Sequence, residues 1–151
     1  MAPKPAVKTK ARDKGLTYKY HEGKWNAIPD FSQLKALKEG VVKQVNESLI
    51  ENRGRNYGVV LEGYVNISQT ATQTFYLRSD DGSKLYIDDE LLIDHDGHHG
   101  AFWAYGTTIL EEGKHKIRIE YFQGTGNQLL RAGFVDEKMG KVPFTMMQLT
   151  H

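Results

Sequence analysis

Two places in the sequence concentrate side chains capable of chemistry. The first is Tyr76-Leu77-Arg78-Ser79-Asp80-Asp81-Gly82-Ser83-Lys84-Leu85-Tyr86-Ile87-Asp88, where adjacent carboxylates sit between two strand-forming runs. Asp81-Gly82 tolerates positive φ, so a tight hairpin turn accounts for it. Paired carboxylates at a loop tip also suit calcium, which takes about six to eight oxygens from carboxylates, amides and carbonyls. Neighbouring side chains of a regular strand point to opposite faces. One ion can therefore take both carboxylates only where the backbone leaves strand geometry, and spacing alone points first to the plain turn.

The second place is Asp94-His95-Asp96-Gly97-His98-His99-Gly100. Three histidines and two aspartates invite a zinc or hydrolase reading. The common zinc motif, however, sets two histidines on one helical face, and the glycines disfavour a helix here. The further acidic positions of an EF-hand are missing. A polar inter-strand loop is the expectation, with Asp94 or Asp96 bonding its own backbone amides. The competing reading is a small metal-dependent hydrolase that uses Asp94, Asp96 and His98.

Other catalytic patterns are absent. No Ser lies in a G-x-S-x-G elbow, and no phosphate-cradling glycine motif occurs. Gly124-Thr125-Gly126 bridges two strand-like runs with no helix behind it. A glycosidase pair among Asp80, Asp81, Asp94 and Asp96 would need a set separation that a sequence does not provide. Trp103 follows the acidic loop and is a candidate to stack on a sugar face. Trp25 is expected in packing.

The elements that position these residues read as β. Tyr57 to Ile67 alternates, with Tyr57, Val59, Leu61, Val65 and Ile67 on one face. Further strands are expected at Leu16–Tyr20, Thr74–Ser79, Lys84–Asp88, Glu90–Ile93, Thr107–Glu111, His115–Phe122 and Gln128–Val135. Gly- or Asp-rich breaks separate most of them. Many short strands at this spacing predict an all-β fold, an antiparallel β-sandwich with barrel-like character. Residues 31–39 form the one helix-like stretch.

Composition bounds the rest. The chain has 151 residues, enough for one domain, and 20 Lys plus Arg against 19 Asp plus Glu. That balance argues against a nucleic-acid binder. Cysteine is absent, which removes thiolate chemistry. Apolar runs are too short for a membrane span, and Met1 to Lys14 lacks the apolar centre of a signal peptide. Residues 1–14 hold five Lys or Arg and two Pro and read as a flexible basic linker or tail, with residues 15–151 as the domain.

Tyr18-Lys19-Tyr20-His21-Glu22-Gly23-Lys24-Trp25, followed by Ile28-Pro29-Asp30-Phe31, resembles the opening of the protective-antigen domain (PA fourteen-kDa domain). Leu61-Glu62-Gly63-Tyr64, the run from Phe75 to Asp88, Asp96-Gly97-His98-His99-Gly100, Glu112-Gly113-Lys114-His115 and Ile117 to Phe122 continue it. Its most specific part is Ser79-Asp80-Asp81-Gly82-Ser83. The resemblance implies a β-sandwich found in bacterial glycosidases, toxins, adhesins and yeast flocculins. In sugar-binding members an Asp-Asp pair, joined by a cis peptide bond, holds a calcium ion that also contacts sugar hydroxyls. Asp80 and Asp81 stand at that pair. Flocculin-like members complete the calcium shell with an Asn after the late strand. Here Gln123 follows Tyr121-Phe122, and Asn127 lies further along.

The expectation is therefore a non-catalytic carbohydrate-binding module. Asp80, Asp81 and Asn127 would ligate calcium, and Gln123, His98 and Trp103 would join the Asp pair at the sugar site. Gly23-Lys24-Trp25 and the Asp-Gly-His-His-Gly loop are most similar to the version appended to bacterial glycoside hydrolases. The implied partners are a glycan or polysaccharide and the catalytic domain of a parent glycosidase. The implied location is extracellular, periplasmic or at the cell surface. The alternative is a structural module whose work is interdomain packing.

Overall fold

The alternation in Tyr57–Ile67 sets the architecture, because a strand with one apolar face must bury it against a second layer. The computed structural model describes residues 2–151. Its strands are β1 (Leu16–Glu22), β2 (Lys38–Val42), β3 (Tyr57–Ile67), β4 (Ala71–Asp80), β5 (Ser83–Ile87) and β6 (Glu90–His95). They continue with β7 (Phe102–Leu110), β8 (Gly113–Gln123), β9 (Leu129–Asp136), β10 (Gly140–Pro143) and β11 (Leu149–Thr150). One sheet has the order β2-β1-β3-β8-β5-β6, with β11 also on β3, and the other has the order β10-β9-β4-β7. All the pairings within the sheets are antiparallel. The two sheets face each other as an open sandwich and do not close into a barrel.

Inward residues of β3 and β8 alternate as the pattern requires. Val59, Leu61 and Val65 meet Ile117, Ile119 and Tyr121 in the core, with Leu77 and Phe75 facing them from β4. Each such side chain contributes about 1.5–3 kcal/mol by leaving water. His115 shares the inward face of β8 and is fully buried. It is held at 2.7 Å by Asp88 Oδ2 through Nδ1 and by the Glu111 carbonyl through Nε2.

Two expectations are corrected. Residues 31–39 form no helix: a single 3-10 turn covers Phe31–Gln33, capped by Asp30 Oδ1 on Ser32 N, and the chain enters β2 at Lys38. A stretch this short has little helical stability of its own, and the open edge of β1 takes its backbone instead. The strand expected from Thr107 begins at Phe102, where β7 pairs with Ser79 on β4. Exposed aromatics on an edge strand hide that start from the alternation rule. No strand was expected at β2, β10 or β11, which carry little apolar pattern; β2 and β10 are edge strands, and the two-residue β11 pairs with the end of β3.

Residues of the expected N-terminal tail run against the domain. Lys4 N donates to the Ile109 carbonyl and Glu111 N to the Lys4 carbonyl, both at 2.9 Å. Lys4 Nζ also pairs with Glu90.

The outer face of the larger sheet is partly covered. His21, Gly58 and Phe122 lie in one cross-strand row, and Phe122 N donates to the Gly82 carbonyl beside it. A Cβ on Gly58 would meet the Phe31 ring at 2.7 Å, and one on Gly82 would meet Phe122 Cε1 at 2.6 Å and Gly97 N at 2.7 Å. The two glycines thus admit the segments around Phe31 and Gly97 onto this face, which buries Val60 on the polar side of β3.

Candidate functional site

The Asp pair sits where β4 passes directly into β5. The Asp80–Asp81 peptide bond is cis. Tyr121 Oη donates to the Asp80 carbonyl at 2.6 Å, and buried Ser79 and Ser83 bond through their hydroxyls at 2.6 Å. The turn is thereby fixed on both sides. Burial raises the Asp80 carboxyl above its ordinary range, Asp81 adds to that, and His99 opposes it. A carboxylate held in this way is relieved by a cation.

Asp81 is buried and faces the loop after β8. Its Oδ2 accepts from Gly124 N at 2.8 Å and lies 3.6 Å from His98 Nδ1. Gly124 has no room for a side chain, since a Cβ would meet His98 Cε1 at 2.8 Å and Asp81 Oδ2 at 3.2 Å. Gln123 ends β8, fully buried. Its Nε2 donates to the carbonyls of Gly126 at 3.1 Å and Gly54 at 3.3 Å, while its Oε1 has no partner. Buried polar atoms are nearly always bonded, so this oxygen stands as an unused acceptor. Asn127 is exposed on the same loop.

The histidine-rich loop packs over this turn. His98 stands edge-on to Phe122 at 5.3 Å. The rings of His95 and His99 lie 4.0 Å apart. His99 reaches the carbonyls of His95 at 2.8 Å and Gly100 at 2.7 Å, and His95 Nε2 lies 3.0 Å from the Phe102 carbonyl. Burial first, and then His99, lower the His95 pKa. Asp96 Oδ1 accepts from Gly97 N at 2.7 Å and Ile28 N at 2.9 Å, and Asp94 Oδ1 from Asp96 N at 3.3 Å. These aspartates thus bond backbone amides, which favours the polar-loop reading over the hydrolase one. Among the described residues, no group of three or more His, Cys, Asp and Glu side chains is placed to hold a metal ion. A cation at Asp80–Asp81 would draw the rest of its shell from amide and carbonyl oxygens, the donor set calcium accepts.

Trp103 is placed on a strand and not on the loop. It stands opposite Arg78 on β4, 39% exposed, with its ring 5.3 Å from that of Tyr76. The Arg78 guanidinium lies 4.9 Å and Lys141 Nζ 4.2 Å from its ring centre. Trp25 packs edge-on to Phe31 at 5.9 Å and against Gly23. Sequence reasoning missed Glu47, which is buried and whose Oε1 accepts from Leu130 N at 3.0 Å and Arg131 Nη1 at 2.9 Å. A lone Glu that opens a 3-10 turn carries no signal for this.

The fold is shared with several solved structures. The PA14 sugar-binding domain from an RTX adhesin superposes with a TM-score of 0.77 at 16% identity, over 93% of this chain and 99% of that one. The PA14 domain of the MpAFP antifreeze protein gives 0.74 at 18% identity, over 99% and 96%. The Epithelial Adhesin 6 A domain from Candida glabrata, in complex with Galb1-3GlcNAc, gives 0.68 at 13% identity, over 95% and 88%. No curated protein matches the sequence. The family model of the PA14 domain matches residues 40–143. That span runs from β2 to β10 and takes in the Asp80–Asp81 turn, the loop over it and the Gln123 end of β8: the chain belongs to the PA14 domain family.

Proposed function

We propose that this PA14 domain is a calcium-dependent carbohydrate-binding module without catalytic activity of its own. The observation that carries the reading is the Asp80–Asp81 turn beside Gln123, whose buried Oε1 has no partner. Asp80, Asp81 and Gln123 offer the cation only oxygen, and Asn127 lies on the loop that can add to them. When bound, calcium supplies coordination positions that sugar hydroxyls take in place of water.

The chain's own residues do the orienting. Gly124 N holds one oxygen of Asp81, which fixes the rotamer and leaves the other oxygen for the cation. His98 borders the turn as a donor or acceptor for a hydroxyl. Trp103 and Tyr105, 39% and 51% exposed, offer ring faces on the adjoining sheet. The adhesin neighbours, one a sugar-binding domain and one in complex with Galb1-3GlcNAc, support the same reading, and they favour a place outside the cell or on its surface.

A glycan array run in calcium and again in chelator tests the proposal. Binding in calcium alone, lost in Asp81→Asn, is expected. Equal binding in chelator overturns calcium dependence, and no binding in either condition overturns the module.

A second reading has an observation of its own. Val41, Leu49, Met146 and Met147 are exposed and line an apolar depression of about 560 Å³. Such a patch suits packing against another domain, including the catalytic domain of a parent glycoside hydrolase. Sedimentation of the domain with its neighbouring segments in the parent protein tests this, with loss of association in Met147→Glu as the expected result.

A further inference from the structure

A separate cavity of about 370 Å³ opens on the outer face of the larger sheet, between β1, β2, β3 and β8 and the segment carrying Phe31. Its volume lies within the range of small-molecule sites, about 300–1,000 Å³. Four carboxylates line it, from Asp30, Glu39, Glu62 and Glu120, against two cations, Lys19 and Arg118.

Its polar groups are incompletely used. His21 is 2% exposed and its Nδ1 has no hydrogen-bond partner, while the buried Arg118 Nε makes no hydrogen bond and has only a long ion pair to Glu120. Glu62 stands across the sheet from Arg118. Arg118 is drawn instead to Glu120 at 3.8 Å and the Tyr86 ring at 4.1 Å, and Lys116 is spent on Asp89 at 2.8 Å. The Glu62 carboxylate is left without an ion pair among the described residues. Burial lowers the His21 pKa, so the ring is neutral and one of its nitrogens is an acceptor.

These groups specify a ligand by elimination. Surplus carboxylates call for a cation. The unpartnered His21 Nδ1 calls for a second polar group on that same ligand, which a simple amine lacks and a hydroxyl supplies. Phe31, Leu34 and Val60 add an apolar wall that suits the C–H face of a sugar ring. We propose that this cavity is a second binding site, for a small polyhydroxylated cation of the amino-sugar class. It does not depend on the calcium reading, because none of its lining residues belongs to the Asp80–Asp81 turn.

The test is an NMR titration of the ¹⁵N-labelled domain in chelator with glucosamine, glucose and cyclohexylamine. Saturable shifts at His21 and Phe31 are expected with glucosamine, with both other probes at least about tenfold weaker. Glu62→Gln should weaken glucosamine by about tenfold, which is about 1.4 kcal/mol, while Asp81→Asn leaves it unchanged. Amide spectra of both variants verify the fold. Absence of saturable binding overturns the site, and equal binding of glucose or cyclohexylamine overturns the ligand class. Indifference to Glu62→Gln, or loss in Asp81→Asn, moves the binding elsewhere and also overturns the proposal.

Discussion

Asp81 Oδ2 and Gly124 N meet at 2.8 Å, tying the turn between β4 and β5 to the loop between β8 and β9. The carboxylate is buried and satisfies a buried amide, so it holds the site together before any ligand arrives. Asp81→Ala should cost about 1–3 kcal/mol, the usual penalty for a stranded buried donor. Asp81→Asn retains an acceptor oxygen and should cost less, while both variants lose calcium binding. Urea unfolding in chelator, alongside calcium titration, separates the two effects.

Gly82 is confined by Phe122, Gly97 and Asp96, all within 2.8 Å of where its Cβ would lie. Gly82→Ala must displace either the Phe122 ring or the histidine loop. Overpacking of this kind costs about 1–3 kcal/mol. Amide shifts at Gly97 and His98 should accompany the loss of stability, and an unchanged spectrum there would refute the contact.

Glu47 joins a buried amide, Leu130 N, to Arg131 through one oxygen. Removing Glu47 strands the buried Leu130 amide, while the part-exposed Arg131 keeps its bond to the Leu130 carbonyl, so Glu47→Ala should destabilise the fold by about 1–3 kcal/mol. Glu47→Gln keeps an acceptor and should cost less. Denaturant midpoints of the two variants check the order.

Burial holds the His21 pKa below its ordinary value, with Lys19 assisting and a backbone hydrogen bond at Gly58 opposing. The unfolded chain therefore takes up a proton near pH 6.5 that the folded chain refuses until lower pH. The stability that His21 contributes is full above about pH 6.5 and is lost as the pH falls toward the folded value. His21→Phe should flatten the fall in stability below about pH 6.5. His95, shifted in the same direction, retains a share of that slope.

Trp103 has a partly open ring on the adjoining sheet, between Arg78 and Lys141. Its cation–π contacts are worth about 0.5–1 kcal/mol at an exposed site. Trp103→Ala should weaken glycan binding several-fold with only a small change in denaturant midpoint. A large stability loss with unchanged glycan affinity would make the ring a packing element.

Local pattern alone was enough for the layers and most of the strands. Period-two alternation in Tyr57–Ile67 and in His115–Tyr121 leaves one apolar face on each, and two such faces must meet in a sandwich. It also marked the Asp80–Asp81 turn, because adjacent carboxylates before a glycine are legible without any partner. What tertiary structure decided lies in groups whose partners are distant in the chain. Residues 31–39 carry a helical composition, yet the edge of β1 claims their end and Phe31 is drawn over Gly58. Trp103 reads as a loop residue until the register places it opposite Arg78. Gln123 looks like an ordinary strand end, and only its hydrogen bonds to Gly54 and Gly126 leave one oxygen idle. The cavity beside His21 was invisible for the same reason: its walls come from four strands and a loop, and no local pattern encodes which polar atoms remain unpaired where they converge.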